Sequence, residues 1–586
     1  MKFLDKNLSL LIVLVVAVLM LLPFLGLTDF NTKGEPREAV VAVSMLKDGN
    51  WILPVNNGMD IPYKPPFFHY CIAVLSLLTG GVNEYTSRLP SALSLIAMTI
   101  GCFCFYRKRL STNVAVASAL LLLTSFEVHR AGASCRVDMM LTVFIVGALL
   151  LLYRWWERGS HGVPVLAVLC MSCATLTKGP VGFVLPCFVM GVFMLLRGEH
   201  FWKTFFKFVG FGLLSCILPL MWYVAAWIDG GQQFLDLVYE ENIGRMTGTM
   251  SYESHEHSFP YNFFTLSTGW LPWTLLLIFS LFAKPWKALK WRKTGEKLRI
   301  RIMQIPPVKL FTWLSFLLVL FFYCIPSSKR SVYLLPCYPF MAVLIAQYIE
   351  WLWTSNHHRV LRVYVCVIAA IAIILTAVYG VVHLGLVPDS IFHGKHANEN
   401  IAILHALRDT KLDFTSFVLM LMPFVTAVDS LFLTYRKAMR DKKRVMAYCL
   451  FMPLVVLMMA LDGVYLPTIL NTKSLRPMAN YIQRTFPNEP VYQYVEGSVM
   501  HFFGADFYLG DTMDQFEKPV RTTVNGKTVV EKKTPSKGVL VVSEKQFKAL
   551  ADRHTDYNFA HVATLKGRVS ELKDNISFYR FSMKTK

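Results

Sequence analysis

Acidic residues are scarce in this chain of 586 residues: 38 Asp and Glu stand against 59 Lys and Arg, leaving a net charge of +21. Such an imbalance suits an anionic partner, of which nucleic acid is one kind and lipid phosphate another. Nucleic-acid recognition needs its basic residues gathered on a folded soluble face. Here Lys and Arg sit mainly in short segments between apolar runs, as the positive-inside rule describes, and no nucleic-acid partner is expected. No two Cys-x-x-Cys motifs stand at zinc-type spacing. Most of the 12 cysteines lie inside apolar runs, where a thiol behaves as a small hydrophobe, and none follows Cys449, which excludes a disulfide from the C-terminal part. Neither a P-loop nor a dinucleotide fingerprint is present, so no nucleotide site is needed. There is no internal repeat, and no inverted pair of broken apolar runs of the kind that marks many transporters.

What the chain has in excess is apolar sequence. Hydrophobic residues make up 54% of it and the mean hydropathy is +0.45, against about 45–50% apolar in a soluble chain. The excess is divided into runs long enough to cross a hydrocarbon core of roughly 30 Å. Candidate spans fall at 8–28, 89–106, 111–126, 138–153, 163–177, 180–196, 207–228, 264–283, 309–325, 332–350, 361–383, 414–434 and 445–466, which is about thirteen. The first follows Lys2 and Lys6 like a signal peptide, but it exceeds a usual h-region and lacks a small-x-small cleavage site, so an uncleaved span is expected.

The three most basic short segments are Arg107-Lys108-Arg109, the stretch from Lys284 to Lys309, and Arg436 to Arg444. With the N-terminus in the cytoplasm all three fall on the cytoplasmic side, and an odd span count puts the C-terminus outside. The expected division is a transmembrane region over 1–466 and a soluble domain over 467–586. Within the first, residues 29–88 form one long outer loop that reads as short amphipathic helices lying in the interface, and 229–262 form a second. The tail combines β-like runs (Gly538 to Ser543, Ile576 to Phe581) with a helix over Glu544 to Arg553, which is the pattern of a small α/β domain.

Charged residues recur where these spans meet the outer loops. Lys33-Gly34-Glu35-Pro36-Arg37-Glu38 reads either as a solvated helix start, with Pro and Glu in the first turn, or as a general base beside a phosphate-binding cation. Tyr63-Lys64-Pro65-Pro66 holds a lysine on rigid backbone, either snorkelling to the interface or acting as a point charge for phosphate. Arg136-Val-Asp138 is an ionisable pair at membrane depth, functional by default, or else an ion pair closing a helix end. Lys178 breaks two apolar runs at a Gly179-Pro180 turn. Lys329-Arg330 places cations where the positive-inside rule disfavours them, and an anionic lipid phosphate would supply the reason. Glu241 to Arg245 and His255-Glu256-His257 form an acidic, His-rich cluster that is either solvated or able to hold a metal.

At these residues the chain resembles the bacterial lipid-linked glycosyltransferases related to aminoarabinose transferase and to the protein O-mannosyltransferases, the GT-C superfamily. Gly34-Glu-Pro-Arg37, Tyr63-Lys64-Pro65, Arg88-Leu-Pro-Ser-Ala92, Asp138, Thr177-Lys178-Gly179, Glu241 to Arg245, His255 with Gly269-Trp-Leu-Pro-Trp273, and Lys329 with Tyr333-Leu-Leu-Pro336 follow in the family's order along roughly the first 340 residues. The resemblance implies a polytopic GT-C helical bundle in the bacterial inner membrane, with interfacial helices after the first span and a small periplasmic C-terminal α/β domain. It implies transfer of a sugar from a polyprenyl-phosphate donor, within the membrane lipid, to a lipid A, other glycolipid or protein acceptor. Glu35 or Asp138 would be the catalytic carboxylate, and Arg37, Lys64, Lys178, Arg245 and Lys329 would hold the donor phosphate. Glu241, His255 and His257 would contact the acceptor or a divalent metal, the one cofactor in view. Two departures stand out. Gly34-Glu35 replaces an Asp-Glu pair, and Tyr63 replaces the Glu of a Glu-Lys-Pro motif, which takes away a candidate metal ligand. A lipid-linked sugar flippase and a non-catalytic glycan-binding factor are the alternatives of other classes.

Overall fold

Backbone amides cannot be left unpaired in hydrocarbon, so an apolar run that enters the membrane must become a helix. The structure, a computed structural model, describes residues 6–62, 64–244, 247, 256–283, 303–394, 396–440, 442–496, 501–524, 527–565 and 574–584. Eight of the described helices are long and apolar enough to span, and two further pairs qualify if each bent pair is one span. The runs expected from the sequence are all helical, but several are too short to be full spans: α8 (Val165–Lys178), α9 (Val181–Leu196) and the helix Pro307–Phe322 have 14, 16 and 16 residues.

The other helices that build the site come earlier in the chain. They are α1 (Lys6–Leu21), α2 (Gly34–Asp48), α3 (Phe67–Thr79), α4 (Glu84–Tyr106), α5 (Thr112–Leu123), α6 (Phe126–Gly132) and α7 (Val137–Glu157), with α10 (Phe201–Tyr239) following α9. The run at 111–126 is bent by 69° between α5 and α6. Ser125 is extended there, and Phe126 N–H leaves the helix to donate to Leu271 O at 2.8 Å. The second bend, 106°, lies between Tyr261–Gly269 and Trp273–Phe282. Trp273 Nε1 donates to Thr124 Oγ1 at 2.9 Å, so the two bends lock together. α10 carries a break at Gly231, whose φ of 56° is open to glycine.

Two of the three basic segments, at Arg109 and Lys443, meet at one end of the bundle, while 284–302 of the third lies outside the described residues. Arg109 pairs with Glu157, and Glu350 accepts from Ser111 and Lys443, each at 3.4 Å. The opposite end carries α2, α3 and the tail domain. The helix that the sequence places after the first span is α2, which buries Glu35, Pro36, Glu38, the run Ala39–Ala42, Ser44 and Met45, with spans against one face and the tail against the other.

In the tail a five-stranded mixed sheet runs in the order β2-β1-β5-β7-β6, with β1 Val491–Tyr494, β2 Asp514–Gln515, β5 Lys537–Ser543, β6 Tyr557–Leu565 and β7 Ile576–Met583. β3 (Lys518–Val524) and β4 (Lys527–Lys533) form a separate hairpin. β1 is parallel to β2 and β5, while β7 is antiparallel to β5 and β6. β5, the helix Glu544–Arg553 and β7 fall where the sequence puts them. Their inward faces, Val539, Val541, Ile576 and Phe578, share a core with Leu475, Met478 and Ile482.

Candidate functional site

Positions three apart share one face of a helix. Glu35 and Glu38 therefore point together from α2 into the gap above α3, α4 and α7. They meet different partners. Arg88, on α4 and 2% exposed, donates Nε to Glu35 Oε1 at 2.8 Å and Nη2 to Oε2 at 3.2 Å. Cys135 N–H adds a third bond to Oε1 at 2.9 Å. The same guanidinium donates through Nη1 to Leu25 O and Thr28 O, so it ties α2 to the end of the first span. Burial opposes the Glu35 charge, but Arg88, the Cys135 amide and Arg136 together hold the carboxyl below its ordinary value.

Glu38 meets a lysine and a histidine. Lys64 bonds Oε1, and His69 Nε2 lies 3.0 Å from Oε2. Arg37 reaches Oε1 at 3.2 Å. Burial again raises the carboxyl, and Lys64, then His69 and Arg37, pull it well below the usual range.

Asp138 stands in the first turn of α7 and forms an ion pair with Lys178, the last residue of α8. Lys178 Nζ lies 4.2 Å over the Tyr333 ring. The chain turns after Lys178 at Gly179, φ 87°. Gly182 then packs so closely that a Cβ there would sit 2.4 Å from Thr175 N, which fixes α9 against α8. Lys64 and Arg136 also bear electrostatically on Asp138. Arg136 fills the space beside Gly34, where a Cβ would come within 3.0 Å of Nη2. A fourth pair, Glu127 with Arg130, lies on α6 with Nη2 to Oε1 at 2.7 Å, and Arg130 is near enough to feel Asp138 and Glu35. His129 Nε2 on the same short helix lies 2.7 Å from Asp462 Oδ2.

The structure thus brings Glu35, Arg37, Lys64, Asp138 and Lys178 into one cluster. Lys329 is 4% exposed and donates to His257 O at 2.8 Å and Pro326 O at 2.6 Å. Its ammonium braces backbone rather than facing a carboxylate. Glu241 sits on a turn at Glu240–Gly244. That turn reaches the Lys178 corner, where Asn242 Oδ1 lies 3.0 Å from the Cβ position of Gly179. His257 stacks on Tyr261 with ring centroids 3.8 Å apart. Tyr63, Arg245 and His255 lie outside the described residues. Among the described residues no group of three or more His, Cys, Asp or Glu could hold a metal ion. Cys170 and Cys173, a lone Cys-x-x-Cys inside α8, are free thiols.

Glu38, His69, Arg88 and Arg136 lie in or beside segments that the sequence picks out, without a site role of their own, and Glu127 and Arg130 were not picked out. The signal for the α6 group was there, since three ionisable residues at the end of an apolar run are costly unless used. Glu38 was legible as the helical neighbour of Glu35.

Beside the cluster the helices leave apolar room. A groove of about 490 Å³ between α9 and α10 is lined by Val184, Phe188, Phe205 and Phe208 among others. A second of about 600 Å³ shares Val184 and Phe188 and reaches Phe259 and Ile325.

A buried carboxylate–cation cluster thus stands at one end of a bundle of apolar helices, with apolar grooves lined by α9 and α10. Residues 63–223 match the family model of dolichyl-phosphate-mannose-protein mannosyltransferases. An uncharacterised protein of Aquifex aeolicus is 30% identical over 58% of this chain and 63% of its own length. The undecaprenyl phosphate-alpha-4-amino-4-deoxy-L-arabinose arabinosyl transferase of Edwardsiella ictaluri is 26% identical over 56% of this chain and 57% of its own. The matched stretch thus spans less than two thirds of each of these relatives. The crystal structure of ArnT from Cupriavidus metallidurans bound to undecaprenyl phosphate superposes with a TM-score of 0.67 at 18% identity, covering 98% of both chains. The chain belongs to the GT-C family of aminoarabinose transferases and protein mannosyltransferase-like proteins.

Proposed function

We propose that this chain transfers a sugar from a polyprenyl-phosphate donor to an acceptor on the outer face of the bacterial inner membrane, a glycolipid such as lipid A being the first candidate. The observation that carries the reading is the cluster in which Lys64 and Lys178 face buried carboxylates, with an apolar groove along the helix that follows Lys178. The groove would take the prenyl tail, since Val184 on its wall lies in the first turn of α9, six residues after Lys178. Lys64 and Lys178, with Arg37, would hold the leaving phosphate and stabilise its developing charge; Arg245 and Lys329 complete the set the resemblance implies.

In the step proposed, an acceptor oxygen attacks the anomeric carbon, the sugar–phosphate C–O bond breaks, and polyprenyl phosphate leaves with the electron pair. Inversion at the anomeric carbon follows from a single displacement. The acceptor proton goes to a carboxylate. Glu35 is committed on both oxygens to Arg88, so its role is to anchor α2. Glu38 is the better base. A phosphate arriving at Lys64 would withdraw the charge that depresses Glu38, while His69 still holds Oε2 in place. Its basicity would rise only once donor is bound. Asp138 would orient Lys178. In this scheme the cation that faces Glu38 is Lys64, and the chemistry is metal-independent. Glu241 and His257, with His255, would contact the acceptor.

The orientation proposed puts the N-terminus in the cytoplasm and the tail in the periplasm, supported by the basic turns at the end away from the tail. The test is proteoliposomes with a radiolabelled polyprenyl-phosphate sugar, offered lipid A or a Ser/Thr peptide. Wild type should form a glycoside, Glu38→Gln should not, Asp138→Asn should form it more slowly, and Glu35→Gln should keep turnover per folded molecule. Carrier that crosses the bilayer without a new glycoside would mean a flippase. A labelled peptide with unlabelled lipid A would move the acceptor to protein.

A further inference from the structure

The tail domain grips the acid-bearing helix from behind. Residues nine apart on an α-helix lie about 180° apart around its axis. Ser44 is therefore opposite Glu35, and Lys47 is opposite Glu38. Both meet one residue of the tail. Ser44 Oγ donates to Asp511 Oδ2 at 2.8 Å, and Lys47 Nζ bonds Asp511 O. Asp511 Oδ1 accepts Asn57 N–H at 2.9 Å, which extends the grip to the loop between α2 and α3. Asn57 is fully buried, with Gln493 Nε2 donating to its Oδ1 at 3.0 Å and Gln515 Nε2 to its O at 3.1 Å. Asp511 itself has φ 58°, a left-handed backbone that aspartate enters more readily than most side chains.

α2 needs such support. It has 15 residues and no side-chain cap at its N-terminus, and isolated helices of that length are marginal in water. Arg88, Lys64 and His69 hold the acids from the membrane side. Without an opposing contact the helix could roll about its axis and carry Glu38 away from Lys64.

We propose that Asp511 is a positioning residue. Through it the tail domain clamps α2 from the face opposite the acids and sets where Glu38 stands over the donor site. This rests on the function proposed above, and it gives the tail a mechanical task rather than a glycan-binding one.

The full-length chain carrying Asp511→Ala, Asp511→Asn or Ser44→Ala tests it. An asparagine keeps an acceptor for Asn57 N–H and can donate to Ser44 Oγ, so Asp511→Asn should stay near wild type. Asp511→Ala should lower kcat per folded molecule about 10- to 100-fold with little change in donor KM, and Ser44→Ala should lower it less. Hydrogen exchange over residues 34–48 should be about tenfold faster in Asp511→Ala. Exchange that matches wild type, or a kcat that holds while exchange quickens, would overturn the clamp. If wild-type protein makes no glycoside at all, the transferase reading fails, and the exchange measurement still decides whether α2 is clamped.

Discussion

Arg88 holds Glu35 by both carboxylate oxygens, at 2.8 and 3.2 Å, across 53 residues of sequence, with both side chains buried. A buried pair of this kind is worth little beyond a well-packed apolar pair, but losing one partner strands a charge. Arg88→Ala should therefore destabilise the protein by about 3–5 kcal/mol. Arg88→Lys should recover only part of that, because an ammonium lacks the planar fork. Thermal unfolding in detergent reads both; an Arg88→Ala protein as stable as wild type would remove Glu35 from its anchoring role.

Lys64 carries a different expectation. Lys64→Met should lower kcat about 10²–10³-fold, as loss of a charge-stabilising donor does. It should also move the acidic limb of the pH–rate profile upward, because Glu38 loses the cation that most depresses it. A limb that stays in place would separate Glu38 from the base role.

Asp138 and Lys178 should act as one unit. Asp138→Asn and Lys178→Met should each cost activity, and the double variant should lose less than the two losses added. The coupling should be about 0.5–3 kcal/mol. Additive losses would place the two side chains in separate roles.

Stability should change with pH in opposite senses at two places. Glu38 has its folded pKa depressed well below the ordinary glutamate value of 4.5. Its contribution is fully present above that value and is lost as pH falls through the depressed one. Asp506 in the tail is the reverse. Burial, then the charge of Asp511, pushes it well above the ordinary 3.8. Its neutral form is favoured in the fold, so its contribution is complete below 3.8 and is lost as pH rises through the raised folded value. Asp506→Asn should flatten the high-pH loss without touching the acid side, and Glu38→Gln should do the converse. Urea unfolding across pH measures both.

Much of the fold was legible because hydrocarbon leaves the backbone no alternative. The apolar runs at 361–383 and 414–434 appear as helices His358–His383 and Phe414–Tyr435. What periodicity could not show was where a run breaks. The 69° bend beside Ser125 depends on a bond to Leu271 O from a distant segment. The site was legible as a set of charged residues at span ends, and five of the ten expected residues do converge. Their roles were not legible. Glu35 and Glu38 are equally acidic in sequence and share a helix face, yet Arg88 takes one and Lys64 with His69 takes the other.

By itself the sequence determined that this chain enters the membrane as many helices and that charge gathers at one end of them, because unpaired amides and isolated charges are both excluded from lipid. The tertiary structure alone decided which carboxylate is anchored and which meets a lysine, and that the tail lies against the back of α2. Those outcomes follow from partners tens to hundreds of residues apart, Glu35 with Arg88 and Ser44 with Asp511, and a contact across such a separation exists only once the helices have packed.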